Sequence, residues 1–166
     1  MNTTTLDVGG AQLTVATEAL FRAWLEKNLG ITQPAVPQYP APAANEGERY
    51  AGTIIRADGS GHHIYRLPMT VAIKVKWAEA MKFAEEQGAE LPDRVEGAML
   101  FATREKGEFE PEWYWTREQY AGYDGYAWCQ YFGDGNQYSL HKDDDARVVL
   151  VRRVAIQSIQ SLTRGS

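Results

Sequence analysis

The chain has 166 residues, 44% of them hydrophobic, which fits one ordinary domain or a domain with a short appendage. Its 17 basic and 22 acidic residues give a net charge of -5, which disfavours binding to the phosphate backbone of nucleic acids. The single cysteine, Cys129, excludes an internal disulfide and a thiolate metal cage. No apolar run reaches the ~18 residues of a membrane span and residues 1–5 lack a signal-peptide pattern, so we expect no membrane insertion.

The first 32 residues predict a hairpin followed by a helix. Residues 6–16 alternate around Gly9-Gly10, a pair suited to the positive φ angles of a tight turn. Thr17 is the predicted helix N-cap and Gly30 the predicted stop. An apolar stripe at helical spacing must pack on the main domain or serve as an oligomer contact or an attachment to a larger assembly; it comprises Leu20, Phe21, Trp24 and Leu25.

Residues 33–45 predict a linker. The segment holds four of the seven prolines, and such a composition favours an extended, semi-rigid spacer. We therefore expect three parts: an appendage over 1–32, this linker, and a main domain over 46–166.

The main domain begins with a predicted hairpin and two helices. Strands are expected over 50–56 and 63–67. Asp93 and Glu96 form a capping-box pattern at the start of the second helix. The expected buried positions are Trp77, Ala80, Met81 and Ala84 on the first helix, which ends at Gly88, and Val95, Ala98, Met99 and Ala102 on the second.

The last third predicts antiparallel strands over 113–116, 126–132, 137–141 and 147–154. In the fourth strand, Val148, Leu150 and Val154 are expected on one face, opposite Arg147 and Arg153. Helices followed by such a sheet, with an early hairpin to join it, indicate an α+β fold.

Four short motifs in a fixed order carry a family resemblance. They are Trp77; Leu91-Pro92-Asp93-Arg94 with Glu96; Trp113-Tyr114-Trp115-Thr116; and Val151-Arg152-Arg153-Val154. Over residues 46–156 this series resembles a large bacterial and prophage domain family with a C-type lectin-like fold. The resemblance implies two helices flanking a twisted antiparallel sheet, with irregular loops on one side. Family members look like phage tail, fibre or surface-displayed proteins.

This sequence departs from the family motif and from the site patterns of related proteins, and these departures exclude some functions. Asp93 replaces the usual threonine but keeps a capping oxygen. The triplets of calcium-dependent sugar-binding lectins do not occur here. The same fold is shared with formylglycine-generating enzymes, whose chemistry resembles a copper site with two cysteines. One cysteine cannot supply such a site. We therefore expect no cofactor and no metal.

No residue set predicts catalysis. His62 and His63 are neighbours on a strand and point to opposite faces, so they cannot easily share a metal. The run 143–145 is interpreted as a solvated acidic loop, and the alternating Glu108, Glu110 and Glu112 as a wet edge.

Tyrosines near glycines and an asparagine give the strongest functional signal. This composition is typical of recognition loops, because a rigid amphipathic ring supplies contact area at little entropic cost. Trp113, Trp115 and Trp128 are assigned to the core instead. The candidate ligand-binding residues are Tyr120, Tyr123, Tyr126, Tyr131, Asn136 and Tyr138.

The leading hypothesis is a non-enzymatic phage or prophage recognition module that binds a protein or a surface glycan through loops around 120–145. The alternatives are a structural virion component, such as a decoration or tail protein, and an enzyme derived from the formylglycine-generating fold. We expect the protein on a virion or in the bacterial host cytoplasm, with no signal peptide. A homo-oligomer or a larger phage assembly is consistent with this hypothesis.

Overall fold

The structure is a computed structural model that describes residues 2–30, 39–68 and 74–156. Over these residues the fold is α+β, with three helices and three small antiparallel sheets. The chain divides into two compact units, Met1–Gln38 and Tyr39–Ser166. Residues 31–38, which belong to the predicted appendage and linker, lie outside the described residues. So do residues 157–166, the end of the predicted main domain. In chain order the elements are β1 (Thr3–Val8), β2 (Ala11–Ala16), α1 (Thr17–Leu29), β3 (Arg49–Ile55), β4 (Gly61–Arg66), α2 (Trp77–Glu86), α3 (Arg94–Ala102), β5 (Trp113–Gln119), β6 (Tyr126–Tyr131), β7 (Gln137–His141) and β8 (Val151–Ala155).

The N-terminal unit is the predicted hairpin and helix. β1 and β2 pair antiparallel around Gly9 and Gly10, whose φ angles of 63° and 90° confirm the predicted turn. Helix α1 ends at Gly30 in the left-handed conformation, as predicted. The predicted N-cap is wrong: Ala16 holds that position, and Thr17 lies inside the helix with its hydroxyl 2.8 Å from that of Thr4.

The C-terminal unit contains two three-stranded sheets. One has the order β3-β4-β8, so the last strand pairs with the first hairpin. The other has the order β5-β6-β7. Helices α2 and α3 lie between them in sequence. Two apolar clusters fill the interior, one around Trp115 and Leu91 and the other around Ile64 and Leu100.

The two helices of this unit differ in how well their buried faces could be predicted. Ala80 and Ala84 of α2 are buried as expected, whereas Met81, predicted on the same face, is 36% exposed. The capping box of Asp93 and Glu96 is also confirmed. The predicted core face of α3 is wrong, because Val95 is 61% exposed whereas Glu96 and Leu100 are fully buried. A buried carboxylate is tolerated here because Arg153 and His62 bind it.

The predicted fourth strand is shorter than expected. β8 begins at Val151, and residues 148–151 are all buried instead of alternating. The strand starts late because the chain before it is still bound to the other sheet: the Arg147 backbone hydrogen-bonds to Trp113 and Trp115 of β5. The chain then crosses to the first sheet, where the Leu150 carbonyl accepts from the Leu67 amide. A crossing segment inside the core is buried on all sides, so no strand alternation develops.

Residues that precede β3 are anchored to the C-terminal unit. The Tyr65 hydroxyl donates to the Pro42 carbonyl, so this part of the predicted linker is held by side chains. Arg152 donates two hydrogen bonds to Glu48, at 2.6 and 2.7 Å. These bonds, with others from Asn45, lower the pKa of Glu48 to about 2.

Candidate functional site

The loop between β5 and β6 carries three of the predicted ligand-binding tyrosines. The Tyr120 amide donates to the Tyr126 carbonyl at 2.9 Å, and the Tyr126 amide donates to the Tyr123 carbonyl at 3.1 Å. The Lys142 ammonium donates to Gln119 and to the Asp124 carbonyl. These bonds fix the loop backbone at the end of the hairpin.

The rings of this loop contact one another in a continuous series. Ring centroids are 5.3 Å apart between Trp128 and Tyr120, 6.2 Å between Tyr120 and Tyr123, and 6.0 Å between Tyr123 and Tyr126. Tyr126 then meets the His141 ring edge-on at 5.2 Å. We call these five residues the tyrosine patch. Such contacts restrict the positions that the rings can take.

The tyrosine patch reaches solvent at its centre. Tyr123 is 69% exposed and Tyr126 is 37% exposed, whereas Tyr120 and Trp128 are half-buried beneath them. Gly122 permits this packing, because an added Cβ would lie 2.7 Å from the Tyr120 ring. The patch is therefore an exposed aromatic surface on a packed base.

Helix α3 supports the base of the tyrosine patch. The Arg94 guanidinium lies 3.7 Å from the centroid of the Trp128 ring, and it also donates to the Gln137 side chain at 3.0 Å. Trp128 is therefore part of the candidate site and not of the core, to which sequence analysis had assigned it. Strand alternation could have indicated this, because Trp128 shares a face of β6 with Tyr126.

The other three predicted residues lie away from the tyrosine patch. Tyr131 is three positions from Trp128 on β6, and side chains alternate along a strand, so Tyr131 lies on the opposite face of the sheet. Tyr138 lies on that face too, because it pairs with Cys129, the neighbour of Trp128. Tyr131 packs on Trp113 at 4.9 Å, and Tyr138 is 67% exposed. Asn136 belongs to the turn before β7, where its side chain donates to Asp134 at 2.7 Å. The six candidates thus divide between two faces and a turn.

A buried ion network joins α3 to β4 and β8. Arg153 donates to both Glu96 oxygens at 2.6 Å, and His62 lies 2.8 Å from one of them. Burial raises the pKa of Glu96, but the Arg153 hydrogen bonds outweigh it and leave that pKa below its ordinary value. Arg153 also pairs with Glu90 at 2.5 Å. Both Glu96 oxygens are thus bound within the protein, which makes the network structural.

Two further ionisable candidates, His63 and Glu108, are also engaged within the protein. His63 is buried and lies 2.8 Å from the Thr53 hydroxyl, and burial lowers the pKa of this histidine. The expected wet edge is wrong at Glu108, which is held by Arg49 and Arg66 and is nearly inaccessible. Among the described residues, no group of three or more His, Cys, Asp or Glu has a metal-binding arrangement.

A cleft of about 750 Å³ lies between α2 and β5. Its floor is apolar, and its rim carries the Arg117–Glu90 ion pair at 2.6 Å. Glu118 at the same rim accepts a hydrogen bond from the Arg94 amide. The lining includes Trp77, Met81, Ala84, Ala89 and Leu91. The volume is in the range of small-ligand sites, but Glu90 and Glu118 at its rim are already bound within the protein.

In comparisons with known proteins, the chain matches no protein-family model and no curated sequence. In the part of the chain that the structure describes, no helix has the length and apolar character needed to cross a membrane.

Proposed function

We propose that this protein is a non-enzymatic recognition module of phage or prophage type with a C-type lectin-like fold. It binds a protein or a surface glycan through the tyrosine patch. The observation that carries the proposal is the exposed series of rings from Tyr120 to His141, fixed from below by Trp128 and Arg94. Preordered aromatic side chains lose little conformational entropy when they bind a partner.

Contacts among the four motifs support the family part of the proposal. The Trp77 indole donates to the Thr116 carbonyl at 2.8 Å. Arg117, the residue directly after the third motif, donates its amide to the Pro92 carbonyl at 2.9 Å, and Arg153 binds Glu96. Motifs far apart in sequence therefore bond to each other, as expected if their order reflects a shared fold. Two helices and antiparallel sheets are also what the resemblance implies.

The proposal is tested by retention of cell-envelope material on immobilised protein. The baits are wild type, the double variant Tyr123→Ala with Tyr126→Ala, and Tyr138→Ala as the matched control. Tyr138 is as exposed as Tyr123 but lies on the opposite face of the sheet. We expect wild type and the control to retain a partner and the double variant to lose at least tenfold in affinity, about 1.4 kcal/mol.

The chemical class of the partner comes from the same assay. Protease treatment of the envelope material removes a protein partner, whereas periodate oxidation removes a glycan. Equal retention by all three baits, or no retention by wild type, contradicts the proposal. Each variant is first checked for the wild-type circular dichroism spectrum, so that a loss of binding reflects the surface and not the fold.

The α2–β5 cleft favours a second candidate, an enzyme or small-molecule binder derived from the same fold. Its volume fits such a ligand, and five titratable side chains line it: Lys82, Glu85, Glu90, Arg117 and Glu118. The discriminating variant is Ala78→Phe, which places a ring at an exposed position of the cleft lining and leaves the tyrosine patch unchanged. Unchanged envelope binding by this variant favours the tyrosine patch as the functional site, and lost binding favours the cleft.

A further inference from the structure

Over residues 2–30, the side chains whose burial the structure describes form no core in the N-terminal unit. Among residues 2–30, no side chain whose burial the structure describes is buried. An isolated two-stranded hairpin and a helix of 13 residues are each marginal in water. Units below about 40 residues usually depend on disulfides, metals or oligomerisation, and the only cysteine of the chain is Cys129. The unit therefore needs a partner surface.

Helix α1 presents the surface that such a partner would cover. Phe21 is 60% exposed and Trp24 is 53% exposed, and their rings stack at 6.2 Å with an interplanar angle of 9°. Leu29 at the end of the helix is 56% exposed. Leu20 and Leu25 flank the two rings and are half-buried. Large apolar side chains gathered on one helix face in this way mark an interaction site.

We propose that this face of α1 is a self-association surface that pairs with α1 of a second copy of the chain in antiparallel orientation. The reason is the symmetry of the sequence Leu20-Phe21-Arg22-Ala23-Trp24-Leu25, in which aliphatic and aromatic residues occur in the same order from either end. A two-fold axis that passes between the two helices at the midpoint of this segment places Phe21 of one copy at the same height along the helix axis as Trp24 of the other. It places Leu20 at the same height as Leu25 in the same way. Each layer then contains one phenylalanine and one tryptophan.

The antiparallel orientation is favoured over the parallel one for two reasons. A parallel pair would place two tryptophans in one layer and two phenylalanines in the next, which makes the layers unequal in volume. It would also align the two helix dipoles, whereas the antiparallel pair opposes them. Both effects act in the same direction, so the geometry points to one register.

The surface available fits a weak dimer. Aromatic side chains each bury about 150–250 Å², so four rings that are more than half exposed contribute roughly 450 Å². The leucines of both copies and the polar rim raise this toward about 1,000 Å², the lower limit for a specific interface. We therefore expect a dissociation constant in the micromolar range. A dimer would also carry two tyrosine patches, and such bivalency strengthens binding to a repetitive surface.

Sedimentation velocity of the full chain between about 1 and 100 µM tests the association. Wild type is expected to approach twice the monomer mass as concentration rises. The double variant Phe21→Glu with Trp24→Glu is expected to stay monomeric. The matched control, Ala19→Glu with Ala23→Glu, adds the same charge on the opposite side of α1 and is expected to associate like wild type. A monomeric wild type, or equal loss in both variants, overturns the proposal.

Disulfide formation tests the orientation while leaving the apolar residues of α1 unchanged, and Thr17→Cys gives up the hydroxyl contact with Thr4. In the antiparallel register Thr17 lies level with Asn28 of the other copy, whereas two copies of Thr17 are separated by roughly 16 Å. Thr17→Cys mixed with Asn28→Cys is therefore expected to yield a disulfide-linked heterodimer, and each variant alone is expected to stay unlinked, since bridged Cα atoms lie within about 7 Å. Cys129 is buried and does not interfere. Linkage of Thr17→Cys to itself overturns the antiparallel arrangement.

Discussion

Two regions of the C-terminal unit reverse the usual distribution of side chains. Around Glu96 a buried carboxylate and a buried histidine meet the half-buried Arg153, whereas around Tyr123 aromatic rings face solvent. Arg153 and His62 both bind the Glu96 carboxylate, so these groups fix how α3 sits against the first sheet. The exposed rings are held by ring contacts and leave one surface open. The residues that fix the fold and the residues that we propose bind a partner are thus different residues within one unit.

The largest expected effect comes from removing one member of the buried network. Glu96→Ala removes both hydrogen bonds that Arg153 makes to this carboxylate and leaves it the Leu91 carbonyl and the exposed Glu90, and we expect the free energy of unfolding to fall by about 3–5 kcal/mol. Urea denaturation measures this. Glu86→Ala on α2, whose ion pair with Lys82 is exposed, serves as the control and should cost less than about 0.5 kcal/mol. Similar losses in both variants would mean that the Glu96 network adds nothing special.

Acid should weaken the C-terminal unit through its paired carboxylates. The pKa of Glu48 is lowered to about 2 by Arg152, below the ordinary carboxyl value of 4.5. Its stabilising contribution is therefore complete above pH 4.5 and is lost as the pH falls toward 2, because the unfolded chain then binds the extra proton. We expect Glu48→Gln to remove on the order of 2 kcal/mol of the stability change between pH 5 and pH 2. Unfolding by urea at several pH values measures it, and an unchanged pH slope would contradict the Glu48 pairing.

A smaller effect is expected at the base of the tyrosine patch. Gly122→Ala places a methyl group against the Tyr120 ring, which must move. We expect a cost of about 1 kcal/mol in stability together with weaker partner binding. Gly59→Ala is an informative control, because its φ angle of 82° strains an alanine although nothing lies within 4 Å of the added group. Weakened binding in both variants would show that the effect is general and not specific to Tyr120.

The smallest effect is expected at the exposed rings themselves. Tyr123→Ala should change the free energy of unfolding by no more than about 0.5 kcal/mol, because most of that ring is in contact with water. Thermal unfolding checks this value. A loss of several kcal/mol would instead make Tyr123 a packing residue and would erase the contrast with the region around Glu96.

The sequence by itself determined the elements that local chemistry dictates. Gly9-Gly10 predicted the first turn because glycine adopts positive φ angles without strain. The spacing of Asp93 and Glu96 predicted the start of α3, because both capping bonds lie within one helical turn. The helical stripe that includes Ala80 and Ala84 predicted the buried side of α2. From the order of helices and strands, the α+β class followed.

Only the tertiary structure decided which polar residues are buried and which tyrosines share a surface. Glu96 is inside because Arg153, 57 residues away in sequence, arrives beside it, and no pattern within α3 carries that information. Tyr123 and Tyr138 are equally exposed, yet the pairing of β6 with β7 puts Tyr138 on the face opposite the tyrosine patch. Composition identified the tyrosines as candidates. Strand register, which depends on contacts between distant segments, divided them between two faces.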